Sequence, residues 1–87
     1  MPLVRDDDGS YLEIRGRGFI YYYDAKGRGY QVNSEMVATD EYDIAVYASD
    51  VVLVGEKEQV ADPEKGEVIS RVKMLCEKGH VRIRIFP

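Results

Sequence analysis

From Tyr11 onward the chain alternates. Tyr11-Leu12-Glu13-Ile14-Arg15 puts Leu12 and Ile14 on one face and Tyr11, Glu13 and Arg15 on the other, the period of a half-buried strand. Residues 19–23 are aromatic and β-branched, the composition strands favour. Gly16-Arg17-Gly18, between the two runs, is a turn signal. Asp24-Ala25-Lys26-Gly27 has Asp at the first and Gly at the fourth position of a type I turn, and Tyr30-Gln31-Val32-Asn33 returns as a third strand. Residues 11–33 therefore predict an antiparallel meander. Residues 1–10 are polar and end in Asp6-Asp7-Asp8-Gly9-Ser10, which predicts a loose lead-in.

Residues 33–38 read two ways: Ser34 caps a helical turn, or the strand continues. Residues 39–43 form a polar loop. Residues 44–48 alternate again, Ser49-Asp50 breaks the run, and residues 51–54 make a short apolar strand before a connector over 55–61. A helix follows. Asp62 is a good N-cap and Pro63 suits the first helical position. Glu64 and Glu67 sit near the positive end of the helix dipole, and Arg71, Lys73 and Lys78 toward the negative end. Val68, Ile69, Val72, Leu75 and Cys76 share one stripe, and Gly79 is the expected stop. The last strand is Val81-Arg82-Ile83-Arg84-Ile85, with Val81, Ile83 and Ile85 on its apolar face. Strands first and a helix later is the α+β order. The expected fold is a mostly antiparallel sheet of five to six strands opening with the meander, one amphipathic C-terminal helix packed on one face, and a final strand. That strand returns parallel through a crossover or lies at an edge. Residues 11–87 are read as a single domain.

Composition adds that the chain can fold without a staple. Its 87 residues are 45% apolar and 32% charged, as in an ordinary globular domain. Cys76 is the only cysteine, so no internal disulfide forms, and a reducing cytoplasm is the expected compartment. The N-terminus lacks the apolar core of a signal peptide. The longest apolar run, Val51-Val52-Leu53-Val54, is far short of the roughly 20 residues that span a bilayer. No membrane association is expected.

Charge is segregated. Residues 35–67 carry −8, residues 1–34 balance, and residues 68–87 carry +4, for a total of −4. The helix dipole explains Asp62, Glu64 and Glu67, and a solvated connector explains Glu56 and Glu58. Glu35, Asp40, Glu41, Asp43 and Asp50, interleaved with Tyr42 and Tyr47, are required by no local rule. They read either as a solvated acidic surface or as a tyrosine-bearing lobe for a basic partner, whose encounter such a lobe would steer.

Other chemistry finds little footing. His80 has no nucleophile or orienting group nearby in sequence. Cys76 lies on the apolar stripe, where a buried inert thiol is the ordinary outcome. One His and one Cys do not make a structural zinc site. Asp40-Glu41-Tyr42-Asp43 fails the EF-hand spacing, and no phosphate-binding glycine loop exists. A non-enzyme without cofactor is the expectation. The chain has seven tyrosines, and Tyr22 must face away from Tyr21 and Tyr23, so at least one tyrosine is on a helix-distal face. Tyrosine there fills a thin core's boundary or marks a binding surface. Arg82 and Arg84 share the outward face of the last strand and, with tyrosines, could stack bases and neutralise phosphates. The overall acidity argues against nucleic acid. A structural domain that closes an edge strand in a homodimer is a further alternative to a monomer.

Several short elements carry a family resemblance. They are Arg17-Gly18-Phe19-Ile20-Tyr21, a Gly-Arg turn followed by Tyr30, Ser34-Glu35-Met36, and Tyr42-Asp43-Ile44-Ala45-Val46-Tyr47. Their order, followed by a C-terminal helix and strand, resembles the small bacterial immunity proteins of polymorphic toxin systems, immunity protein family seventy-four. The resemblance covers most of residues 17–85. It implies a non-catalytic inhibitor that binds and blocks a cognate toxin domain, with Ser34-Glu35-Met36 and residues 42–47 as shared positions. The residues expected to meet a partner are Glu35, Asp40, Glu41, Tyr42, Asp43, Tyr47 and Asp50.

Overall fold

The computed structural model describes residues 3–15 and 18–87. Six strands form one sheet in chain order: β1 (Leu3–Arg5), β2 (Tyr11–Arg15), β3 (Phe19–Tyr23), β4 (Gly29–Met36), β5 (Ile44–Leu53) and β6 (Ile83–Phe86). Neighbours pair antiparallel from β1 to β5. After the helix α1 (Asp62–Lys78), β6 returns parallel to β5 and lies at the sheet's edge. This is the α+β arrangement the pattern predicts, a mostly antiparallel sheet with one helix and a final strand.

Cross-strand register sorts the side chains by face. Leu12, Tyr22, Tyr30 and Leu53 form one row, and Ile14, Ile20, Val32 and Val51 the next. Both rows turn toward α1, whose Val68, Ile69, Val72, Leu75 and Cys76 are buried against them. Leu75 and Val72 are fully enclosed. The Asp24–Gly27 turn forms as expected, with the Gly27 N–H donating to the Asp24 carbonyl at 2.9 Å. The strand continues through residues 33–36 rather than giving way to a helical turn.

Four local readings change. Within the expected loose lead-in, Leu3–Arg5 is an edge strand paired to β2, because Val4 is buried beside Leu12 and the end of α1. A single apolar residue is too short a pattern to show as a strand. Ser49-Asp50 does not end its strand: β5 runs on, and a register shift between Val32 and Ser34 absorbs the extra residues. Asp62 is the first helical residue rather than the N-cap, which is Ala61 with no side-chain cap, and Pro63 sits within the first turn. The last strand starts two residues later than expected and includes Phe86. The Gly16-Arg17 part of the first turn signal lies outside the described residues.

The helix ends in a Schellman motif. His80 N–H donates to Glu77 O at 3.1 Å, and Val81 N–H donates to Cys76 O at 2.8 Å. Gly79 is the C-cap with φ −87°, and the left-handed position falls to His80 at φ +59°. Gly79 is needed for another reason: a Cβ there would collide with the Val4 side chain.

Candidate functional site

Because side chains alternate, everything that does not face α1 faces away from it. Register places Tyr11 beside Tyr23, Glu13 beside Tyr21, Arg15 beside Phe19, and Tyr47 beside Phe86 on that second face. Tyr42, from the β4–β5 connection, joins it by packing on Phe86. Seven of the chain's nine Tyr and Phe residues thus stand off the helix side, and only Tyr22 and Tyr30 are buried against α1. Among the described residues the one helix lies on the other side, so the face is open.

The open face carries two aromatic patches. On the β1–β3 side, Tyr11 and Tyr23 stack with centroids 4.9 Å apart, and Phe19 leans on Tyr21 at 6.4 Å. Arg5 and Arg15 lie over Tyr11 and Tyr21, at 5.9 and 4.6 Å. The Tyr23 ring lies close over Gly29, where a Cβ would come within 2.6 Å of it and force the ring to move. On the β5–β6 side, Tyr47 and Tyr42 flank Phe86 at 6.1 and 6.3 Å, and Arg84 lies over both Tyr42 and Phe86. Gln31 and Asn33 of β4 separate the two patches.

The second patch gathers six of the seven residues expected from sequence. Tyr47 O–H donates to Glu35 at 3.0 Å. Asp43 accepts from two nitrogens of Arg82, at 2.8 and 3.3 Å, and the Asp40 carbonyl accepts from the same guanidinium at 2.8 Å. Glu41 lies 3.7 Å from Arg84, whose guanidinium covers Tyr42. Asp50 stands apart, accepting from Gln59 Nε2 at 2.7 Å beside the β5 register shift. Part of the acidic cluster therefore has a structural reason that local sequence rules do not give: Asp43 counters Arg82, just before β6, and Glu41 faces Arg84 within it. Glu35 and Asp40 have no cationic partner among the described residues.

The titration behaviour follows from these contacts. The hydrogen bond from Arg82 holds the Asp43 carboxyl below the usual carboxylate range, and Asp43 in turn raises Arg82. Donation to Glu35 raises the Tyr47 phenol. Burial pushes the Cys76 thiol up to about 12, which removes it as a thiolate nucleophile near neutral pH. Among the described residues no three His, Cys, Asp or Glu side chains converge as metal ligands. No described helix is long and apolar enough to cross a membrane.

Sequence reasoning missed Phe86, Phe19, Arg5 and Arg15. Phe86 was signalled: it extends the Arg82, Arg84 alternation by one step. Arg15 was signalled too, since it shares its face with Tyr11 and Glu13. Arg5 could not be placed without β1. Comparison with protein-family models, curated proteins and solved structures finds no match to this chain.

Proposed function

We propose that this chain is a non-catalytic protein-binding module, an immunity protein that docks on a toxin domain of basic surface through its open sheet face and acidic corner. One observation carries this reading: seven of nine aromatic residues stand on the face opposite the helix, interleaved with Arg5, Arg15 and Arg84. Tyrosine and arginine dominate the energetically important centres of protein interfaces. Glu35 and Asp40 supply unmatched negative charge at one corner, which fits a cationic partner and speeds its encounter. A cytoplasmic setting, with Cys76 reduced, belongs to the same reading. Nucleic acid has less support, because Arg82, one of the two arginines a phosphate backbone would need, is already held by Asp43 and the chain is acidic overall.

The test is affinity capture from the native host with the wild type beside a Glu35→Lys/Asp40→Lys variant. These two acids are chosen because Asp43 holds Arg82, and reversing it would disturb β6 itself. A basic protein retained at low salt by the wild type, released by high salt and lost with the variant, supports the reading. Equal retention by both proteins removes the acidic corner from it.

A further inference from the structure

A groove lies beside the β6 edge of the sheet. An open cavity of about 620 Å³ lies between the C-terminal half of α1 and β6, walled by Lys73 and Glu77 and floored by Val81, Ile83 and Ile85. These three apolar side chains are only half buried. Just before the strand the Arg82 carbonyl accepts from the Asp43 and Ile44 N–H groups at 2.9 and 3.3 Å, so residues 82, 84 and 86 turn their backbone groups toward β5. Alternation turns the N–H and C=O of Ile83 and Ile85 outward, where no further strand lies among the described residues. Pro87 has no N–H to extend that row.

Charge says what fits there. Lys73, Arg82 and Arg84 border the groove against Glu77 alone, and Lys73 makes no ion pair among the described residues. The Arg84 side chain is 58% exposed and its partner Glu41 is 3.7 Å away, so it can take a closer carboxylate. A second copy of this edge is a poor occupant, because antiparallel pairing about Ile83 or Arg84 sets arginine opposite arginine.

We infer that the β6 edge binds an extended acidic segment of a partner protein, which adds to the sheet as a seventh strand. Its backbone pairs with Ile83 and Ile85. Its alternate apolar side chains enter the groove over Val81, Ile83 and Ile85, and its acidic side chains lie beside Arg84, since Arg82 is already held by Asp43. This site adjoins the acidic corner but selects the opposite charge, so it stands independently of the basic partner proposed above.

The experiment is an NMR titration of the 15N-labelled protein with a capped peptide alternating glutamate and valine, and with its lysine-for-glutamate counterpart. The expected result is saturable shifts and slowed exchange at the Ile83 and Ile85 amides, with a Kd on the order of 100 µM for the acidic peptide. Arg84→Glu, a surface change, should weaken binding about tenfold, and Ile85→Pro, which deletes an outward donor, should abolish it. Absence of shifts at those two amides, equal binding of the lysine peptide, or an Arg84→Glu protein that binds as well as wild type would overturn the inference. So would a concentration-dependent dimer that Ile85→Pro dissolves, since the edge would then belong to a second copy.

Discussion

The guanidinium of Arg71, on the helix, donates to the Asp8 carboxylate at 2.8 Å, joining two residues 63 positions apart in the chain. The same nitrogen reaches Asp6 at 3.1 Å and the Ser10 hydroxyl at 2.9 Å, while its neighbour Nε donates to Tyr22 at 3.3 Å. Ser10 is fully buried beneath it. This cluster, with Val4, holds the β1–β2 turn against α1. Replacing Arg71 by Leu leaves the turn's acids without their shared donor. The expected cost is about 1–2 kcal/mol, or roughly 5–15 °C in Tm for a domain of this size. Amide exchange should rise first in β1, with β3 to β5 retaining protection; uniform exchange across the sheet would show that Arg71 is not a local tie.

The same cluster makes stability depend on acid. Asp6 titrates below the ordinary carboxylate value, chiefly through the hydrogen bond from Lys78, and Asp8 does so chiefly through the one from Ser10. A carboxylate whose folded pKa is depressed contributes stability above its unfolded pKa and loses it as pH falls through the folded value. Denaturant midpoints should therefore drop as pH falls below about 4. An Asp6→Asn/Asp8→Asn protein should be less stable than wild type at neutral pH and converge on it in acid. A constant gap between the two would contradict the assignment.

At the helix end, His80 occupies a left-handed backbone position that glycine adopts without cost, while Gly79 occupies an ordinary one beside Val4. His80→Gly should stabilise the domain by up to about 1 kcal/mol, less whatever flexibility glycine adds to the unfolded chain. Gly79→Ala should destabilise it by about 1–3 kcal/mol, since the new methyl meets Val4. Thermal melts of the two variants should move in opposite directions. A stabilised Gly79→Ala would show that the helix end and β1 are not in close contact.

Tyr30 donates to Glu64 at 2.5 Å, and burial, reinforced by that bond, pushes its phenol up to about 12. A raised folded pKa means stability that is intact below the unfolded value near 10 and lost as pH rises through the folded one. Between about pH 10 and 12 the wild type should lose stability that Tyr30→Phe does not lose. Parallel slopes for the two proteins, followed by urea unfolding, would place Tyr30 outside the core network.

Much of this fold is legible from period alone. Leu12 and Ile14, the helical stripe from Val68 to Cys76, and the Asp24-to-Gly27 turn each repeat a local rule often enough to be read. What escapes is either too short or too distant. Val4 is one buried residue in a polar stretch, made a strand by Leu12 and by the missing side chain at Gly79. The continuity of β5 across Ser49-Asp50 depends on a register shift that only the partner strand reveals. At the candidate site, Tyr42, Tyr47 and the acids near them are neighbours in sequence and could be grouped. Their pairing with Arg82 and Arg84 spans some 40 residues, and no local pattern encodes it.

The open aromatic face is the centre of the functional proposal, and its most direct test is the affinity of the captured partner for a Tyr47→Ala/Phe86→Ala protein, measured by calorimetry beside the wild type. Both side chains are half-buried and pack on each other on the face away from α1, so the variant should keep its fold and a cooperative melt. The expected result is a loss of at least about 30-fold in Kd, the signature of a hot spot worth about 2 kcal/mol or more. An affinity within about twofold of wild type, with the fold intact, would contradict docking through this face.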